Sequence, residues 1–309
     1  MKRYRDLNSY FREIFGCRVH KITVDAGLNC PNRDGTISKE GCIFCNERGS
    51  GTGAFRQGLS IGDQLVRAKT YLSKRYKAKK FIAYFQSYTN THAPLEKLEK
   101  LYREALSVED IVGLSIGTRP DCIDESILDL LAYHAETRMI WIEYGLQSIH
   151  DKTLRLINRG HNFDTFAKAI EMTRGRGILT CAHVILGLPG ETREDMLKTA
   201  DYVSKSGLDG IKVHLLYVIK GTRLESLFLK GSYRCLTQME YVELVCSFLE
   251  RLHPDMVIQR LTGDPHPEEL TAPLWALKKS DTLNLIRQTL ETRDSRQGKF
   301  FAGTGTKNL

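Results

Sequence analysis

The 309-residue sequence has no apolar run approaching the ~20 residues that a bilayer-spanning helix requires. Its opening, Met1-Lys2-Arg3-Tyr4-Arg5-Asp6, lacks the apolar stretch of a secretory signal. These two absences argue against a membrane partner and for a cytoplasmic protein. Cysteine is scarce: eight in a chain this long are too few for a disulfide scaffold, and a reducing compartment keeps such thiols free. No low-complexity linker and no exact internal repeat divides the chain. With 41% hydrophobic residues it can still bury a large core, and its length suits either two domains or one α/β barrel.

Acid is missing from one stretch. Between Arg67 and Lys80 stand seven cations (Arg67, Lys69, Lys74, Arg75, Lys77, Lys79, Lys80) and two tyrosines, in a chain whose formal charge is +8. A solvated helix face is the plain reading, but such a face normally carries acidic partners. A contact surface for an anionic partner such as nucleic acid competes with it. A membrane surface is disfavoured, because the run has no continuous stripe of large apolar residues.

What the sequence does contain is alternation. Strand-like runs at Lys21 to Val24, Phe81 to Phe85, Ile111 to Ile116, Met139 to Gly145, Leu179 to Leu186 and Gly210 to Val218 recur about thirty residues apart over most of the chain, the length of a strand-plus-helix unit. Helical patterns lie between them: Pro94 to Leu106, Asp124 to Tyr133, Phe163 to Thr173 and Thr192 to Ser204, preceded by Leu7 to Phe15. The expected fold class is α/β, a partial (β/α)6 TIM-like barrel. Residues 1–222 form the barrel with its N-terminal lead-in, and 223–309 a mostly helical C-terminal extension packed on it. That extension carries helices at Thr237 to Leu252 and Leu274 to Glu291, a short strand candidate at Met256 to Leu261, and a tail, Phe300 to Leu309, expected to fray.

Chemistry concentrates in the loop after the first strand, where Cys30, Cys42 and Cys45 fall in Asn29-Cys30-Pro31 and Gly41-Cys42-Ile43-Phe44-Cys45. The two-residue gap turns Cys42 and Cys45 onto one centre, and the Gly-, Asn-, Asp- and Ser-rich segment before them loops Cys30 back. Three thiolates leave an iron-sulfur cluster, usually held by four, with one open iron. The competing reading is structural zinc closed by Cys17. Cys17, however, precedes the strand that the other three follow.

These cysteines with Phe44, together with Tyr144-Gly145-Leu146-Gln147-Ser148, Asn158-Arg159-Gly160-His161 and His183-Val184-Ile185-Leu186-Gly187-Leu188-Pro189-Gly190-Glu191, resemble the radical S-adenosylmethionine (SAM) enzymes, and more narrowly the radical domain of the Elongator catalytic subunit. Gly27 to Gly35, Phe85 to Thr91, Arg260 to Asp264 and Ala272-Pro273-Leu274-Trp275 are similar to the YhcC/YtqA-type radical SAM proteins. The resemblance implies a 4Fe-4S cluster on Cys30, Cys42 and Cys45, with SAM on the open iron. An electron from reduced flavodoxin or ferredoxin would then split the sulfonium to give a 5′-deoxyadenosyl radical. It places Phe44 near the adenine, Gln86 and Ser87 at the methionine amino group, Gln147 at the ribose and Arg159 at the SAM carboxylate. Read alone, Arg159 is a surface salt-bridge residue and the Gly187 to Gly190 turn an ordinary connection.

Two departures stand out. Gly117 occupies the position where the Elongator pattern has a Glu before Thr118-Arg119-Pro120-Asp121, leaving Glu143 as a candidate substitute, and nothing resembles the acetyltransferase half. Lys212 and His214 alternate onto one face of the sixth strand and, with His183, are candidates for touching substrate; ordinary buried hydrogen bonding is the alternative. Cys122, Cys181, Cys235 and Cys246 have no ligand spacing and read as packing residues, Cys122 being the one placed to face the site. The functional expectation is a radical SAM enzyme that remodels the C5 side chain of a tRNA wobble uridine, carboxymethylaminomethyl to aminomethyl. The alternatives are radical SAM chemistry on a small metabolite and a non-catalytic RNA-binding protein with structural zinc.

Overall fold

The structure, a computed structural model, describes residues 2–46, 49 and 54–301. The expected tail beyond residue 301 lies outside them. Six strands follow one another with helices between: β1 (Val19–Val24), β2 (Lys80–Phe85), β3 (Ile111–Thr118), β4 (Met139–Gln147), β5 (Leu179–Leu186) and β6 (Gly210–Leu215). The helices are α1 (Leu7–Phe15) before β1, α2 (Ile61–Tyr76), α3 (Leu95–Ser107), α4 (Glu125–Ala135), α5 (Asp151–Leu156) with α6 (Phe163–Thr173), and α7 (Arg193–Lys205). Polar caps set several of these starts: the side chains of Asp124 and Thr192 accept from the backbone of the first turn, and Thr192 forms a capping box with Asp195.

After β6 come a short strand β7 (Val218–Ile219), α8 (Arg223–Leu229), α9 (Gln238–Leu249), β8 (Val257–Arg260), β9 (Leu270–Ala272) and α10 (Lys279–Thr292). The sheet order is β1-β2-β3-β4-β5-β6-β8, all parallel, with β7 and β9 pairing antiparallel apart from it. The sheet therefore has seven strands where the sequence pattern suggests six. The seventh is the short run near Met256, which the segment after residue 222 adds beside β6. The expected long helix from Leu274 is a separate 3-10 turn, Leu274–Leu277, followed by α10.

Period-two alternation divides each strand between two environments. Outward residues such as Ala83, Phe85, Leu114, Ile116, Ile140, Ile142, Val184 and Val213 join one apolar core with Leu98, Leu131, Phe166, Val203, Val245 and Ile286 of the surrounding helices. Inward residues are stacked in layers. At the N-terminal end of the strands Trp141, Cys181 and Val257 meet Leu7 and Tyr10 of α1, which plugs the half-barrel there; the Tyr10 and Trp141 rings are 6.0 Å apart, edge to face. Charged and polar side chains come next, and the cysteine loop lies beyond the C-terminal ends.

Glycine permits one tight junction. A Cβ on Gly113 of β3 would lie 2.0 Å from the Met139 carbonyl oxygen, which is backbone and cannot step aside. Gly113→Ala is therefore expected to cost at least about 1–3 kcal/mol, read as a lower urea midpoint; an unchanged midpoint would show that the β3–β4 register is looser than described.

Candidate active site

The loop after β1 is fastened at several points. Gln64 of α2 accepts from the Asp25 N–H at 2.8 Å and donates to the Asp25 carbonyl at 2.8 Å, fixing where the chain leaves the strand. Ile43, between the paired cysteines, is buried in a second apolar cluster with Leu154, Ile157, Leu216 and Leu224. Its N–H donates to Ile157 O at 3.1 Å and its carbonyl accepts from Leu224 N at 2.9 Å. Asn32 Nδ2 donates to Asn158 O and Asn158 Nδ2 to Gly41 O, each at 2.7 Å. These bonds tie the cysteine loop to the segment that carries Arg159.

Cys30, Cys42 and Cys45 all line one cavity of about 710 Å³ at the C-terminal ends of the strands, and so do Phe44, Gln86, Gln147 and Arg159. Ser87 is not on the wall; it is buried next to Gln86, with its hydroxyl unpartnered. Arg159 is 7% exposed: Nη2 donates to Gly145 O at 2.8 Å, while Nη1 lies 3.8 Å from Cys42 Sγ. Arg119, 2% exposed, holds Asp121 through two bonds of 2.8 and 2.7 Å and donates to Arg159 O at 2.8 Å. Gly145 must be small, because a Cβ there would meet Arg159 Nη2 at 2.4 Å.

Burial, and then the neighbouring Cys42 thiol, push Cys45 up to about 11. A buried thiol in this state, with two more cysteines on the same cavity wall, suits a positively charged centre that deprotonates it on binding. Among the described residues no three His, Cys, Asp or Glu side chains converge as ligands of a single metal ion. An iron-sulfur cluster takes its thiolates on different irons and needs no such convergence. Cys17 stands at the other end of β1, packed near Phe11, Val19 and Ile82. Six residues of strand separate it from the loop, ~20 Å at 3.3 Å per residue, so it cannot close the site as the zinc reading requires.

Below the cysteines the candidates Glu143, His183 and Lys212 meet in one layer with Lys21 and Ser115, a network that the sequence motifs do not reveal. Glu143 of β4, fully buried, accepts from Lys21 Nζ of β1 at 2.6 Å and His183 Nε2 of β5 at 2.7 Å, and also from Ser115 of β3 and Lys212 of β6. Lys21 donates as well to Gln259 Oε1 of β8 at 2.6 Å, bridging the two edge strands. Burial alone would raise the Glu143 carboxyl; Lys21, Lys212 and His183 hold it well below the usual carboxylate range. Burial, with Lys21 and Arg260 nearby, brings Lys212 down to about 7 despite Glu143. Burial and Lys212 take His183 down to about 4. Glu143 pairs in register with Gly117, the position of the missing carboxylate, yet both its oxygens are committed to the cations. Tyr84, His183, His214, Tyr217 and Arg260 complete the cavity wall on this side. Alternation of Lys21 with outward Ile22 in β1 was the available signal for an inward cation, whereas Arg119 and Arg260 fell inside motifs of the family resemblance that gave them no role of their own.

A parallel half-barrel with three free cysteines at the C-terminal ends of its strands defines a radical SAM enzyme. Sequence comparison agrees: the family model of the radical SAM superfamily matches residues 30–203, and that of the Radical_SAM C-terminal domain matches 208–292. The chain belongs to the radical SAM superfamily, and its cofactors are a 4Fe-4S cluster and SAM. It is 43% identical over 300 residues to the uncharacterized protein YtqA of Bacillus subtilis, covering 97% of this chain and 93% of that one. Elongator complex protein 3 of Schizosaccharomyces pombe is 31% identical over 157 residues, which is 50% of this chain and 28% of that one. Among solved structures, the Elp3 of the archaeon Methanocaldococcus infernus superposes with a TM-score of 0.70 at 18% identity, over 90% of this chain and 64% of that one.

Ala replacement of Cys30, Cys42 or Cys45 is expected to abolish the visible absorbance of the reconstituted protein and 5′-deoxyadenosine formation, whereas Cys17→Ala keeps both. Loss of iron in Cys17→Ala equal to the others would remove the three-cysteine assignment. Glu143→Ala strands the buried Lys212 and removes one partner of the half-buried Lys21, and should cost about 3–5 kcal/mol in urea unfolding. Because folding lowers the Glu143 carboxyl, its stabilisation is complete above the ordinary range near ~4.3 and is lost as pH falls through the lower folded value. Acid unfolding of Glu143→Gln should lack that component; identical acid profiles would contradict it.

Proposed function

We propose that this radical SAM enzyme remodels tRNA at the C5 side chain of a wobble uridine, converting carboxymethylaminomethyl to aminomethyl. The observation that carries the proposal is the sequence likeness of half the chain to Elongator complex protein 3. In this reading Cys30, Cys42 and Cys45 hold the cluster, and Phe44, Gln86 with Ser87, Gln147 and Arg159 hold SAM. When bound, the cluster supplies the electron that splits the SAM sulfonium. The protein's part is to orient and to exclude water: Arg159 is locked to Gly145 O and backed by Arg119, so its guanidinium is set before a carboxylate arrives. An anticodon base is unpaired, so it can be splayed into such a cavity without opening a duplex.

The basic run supports an RNA partner from a distance. Arg67, Lys74, Arg75, Lys77 and Lys79 are exposed and, among the described residues, make no ion pair; Lys69 is paired with Asp110 at 3.1 Å. Helix α2 begins near Asp25 at the cavity end and finishes where Lys79 N donates to Arg18 O, just before β1. These cations thus lie toward the end of the sheet away from the cysteines, a place for phosphates of the tRNA body and not of the reacting nucleotide. Reduced flavodoxin or ferredoxin is the proposed electron donor and the cytoplasm the proposed compartment; among the described residues no helix is long and apolar enough to cross a membrane.

Nucleoside mass spectrometry of tRNA from a deletion strain should show carboxymethylaminomethyluridine gained and its aminomethyl product lost. Neutralising Lys74, Arg75, Lys77 and Lys79 together should weaken salt-sensitive tRNA binding and leave SAM binding intact. Unchanged nucleosides in a strain that normally makes the protein would transfer the chemistry to a small metabolite.

A further inference from the structure

The cation layer holds more positive charge than its one buried acid absorbs. Arg260, at the end of β8, pairs in register with Lys212 and lines the cavity, yet among the described residues its guanidinium makes no hydrogen bond or ion pair. His214, two residues beyond Lys212 on the same face of β6, also lines the cavity, and its Nε2 is buried without a partner. Its ring stacks at a tilt on that of His183, 5.1 Å between centroids. The acids of this wall are already engaged: Glu143 by its cations, Asp264 by Lys279 at 2.9 Å, Glu269 by Asn46 at 2.9 Å. Burial, then Arg260 and His183, keep His214 uncharged. A buried imidazole nitrogen without a partner is costly, and a half-buried, unpaired guanidinium facing the same cavity supplies the charge that would draw an anion to complete it.

We propose that Arg260, with His214 as an Nε2–H donor, binds a carboxylate of the substrate inside this cavity. The site is separate from that assigned to the SAM carboxylate, because Arg159 stands at Cys42 Sγ whereas Arg260 stands level with Lys212. A guanidinium fork and one imidazole N–H match the flat two-oxygen edge of a carboxylate; a tetrahedral phosphate dianion needs more donors than this wall offers. The inference rests on the reading of this cavity as the place of reaction, and it deepens that reading by requiring a substrate whose reacting side chain ends in a carboxylate. Lys21 and Lys212 beneath it hold the local potential positive, and Glu143 keeps them in place.

The test uses anaerobically reconstituted protein with SAM bound, and sodium acetate as the probe, followed by saturation-transfer NMR on its methyl group. Wild type should bind acetate saturably, Arg260→Gln about tenfold or more weakly, and Arg260→Lys in between, with SAM affinity equal in all three. Equal acetate binding in wild type and Arg260→Gln overturns the proposal, as does a parallel loss of SAM affinity, which would make Arg260 a cofactor residue. Displacement of acetate by equimolar inorganic phosphate overturns the carboxylate assignment. A second arm compares tRNA carrying carboxymethylaminomethyluridine with tRNA carrying the aminomethyl form. A preference for the first that vanishes in Arg260→Gln supports the site and the RNA substrate together. Arg260-dependent acetate binding with no such preference upholds the carboxylate site and removes tRNA as its source.

Discussion

The carboxylate of Glu143 is the constraint on which the half-barrel depends. A fully buried charge is tolerated only if it is paired and its lone pairs are filled, and here the partners come from four other strands: Lys21, Ser115, His183 and Lys212. Lys21 extends the network to Gln259 on the far edge of the sheet. Side chains thus close a seam that no backbone ladder closes, since β1 and β8 are the two ends of the strand order. The apolar plug of Trp141 and α1 lies below the network. The network's other side is the floor of the cavity.

That placement separates two jobs within one cavity. The loop wall offers sulfur donors and Arg159, the loop tied to Ile157 and Asn158 and the guanidinium to Gly145, with Gln147 on the same wall. The floor offers fixed cations and uncharged imidazoles. A cofactor carrying both amino and carboxylate groups suits the first, and an anionic substrate end suits the second. Because the floor residues are strand residues whose spacing is set by register, the geometry of the second site is a property of the sheet and not of a loop.

Elements with strong local signals were legible in the sequence. The bounds of α1, α6 and β5 agree residue for residue with the apolar periodicity, and the cap residues Asp124 and Thr192 stand where their side chains imply. The three cysteines were legible because their spacing is local. The seventh strand was not: Val257–Arg260 is four residues long and reaches β6 only after β7 and two helices, so pattern alone cannot say which sheet receives it. The charge layer was legible only in part: Glu143, His183, Lys212 and His214 stood as single candidates, but the network that joins them to Lys21 escaped for a related reason. Its members are spread over six strands, one or two to each, and Lys21 or Arg260 taken singly looks like a solvent-facing residue of an edge strand. Only register brings them together. The basic run was legible as charge, but its distance from the cysteines follows from the direction of α2.

The division of the cavity is tested most directly by an anaerobic crystal structure of the reconstituted protein with SAM. The account predicts a cluster on Cys30, Cys42 and Cys45, SAM density running along Phe44, Gln86, Gln147 and Arg159, and the guanidinium of Arg260 free of the cofactor. SAM with its carboxylate on Arg260, or a cluster drawing on any other cysteine, would contradict it.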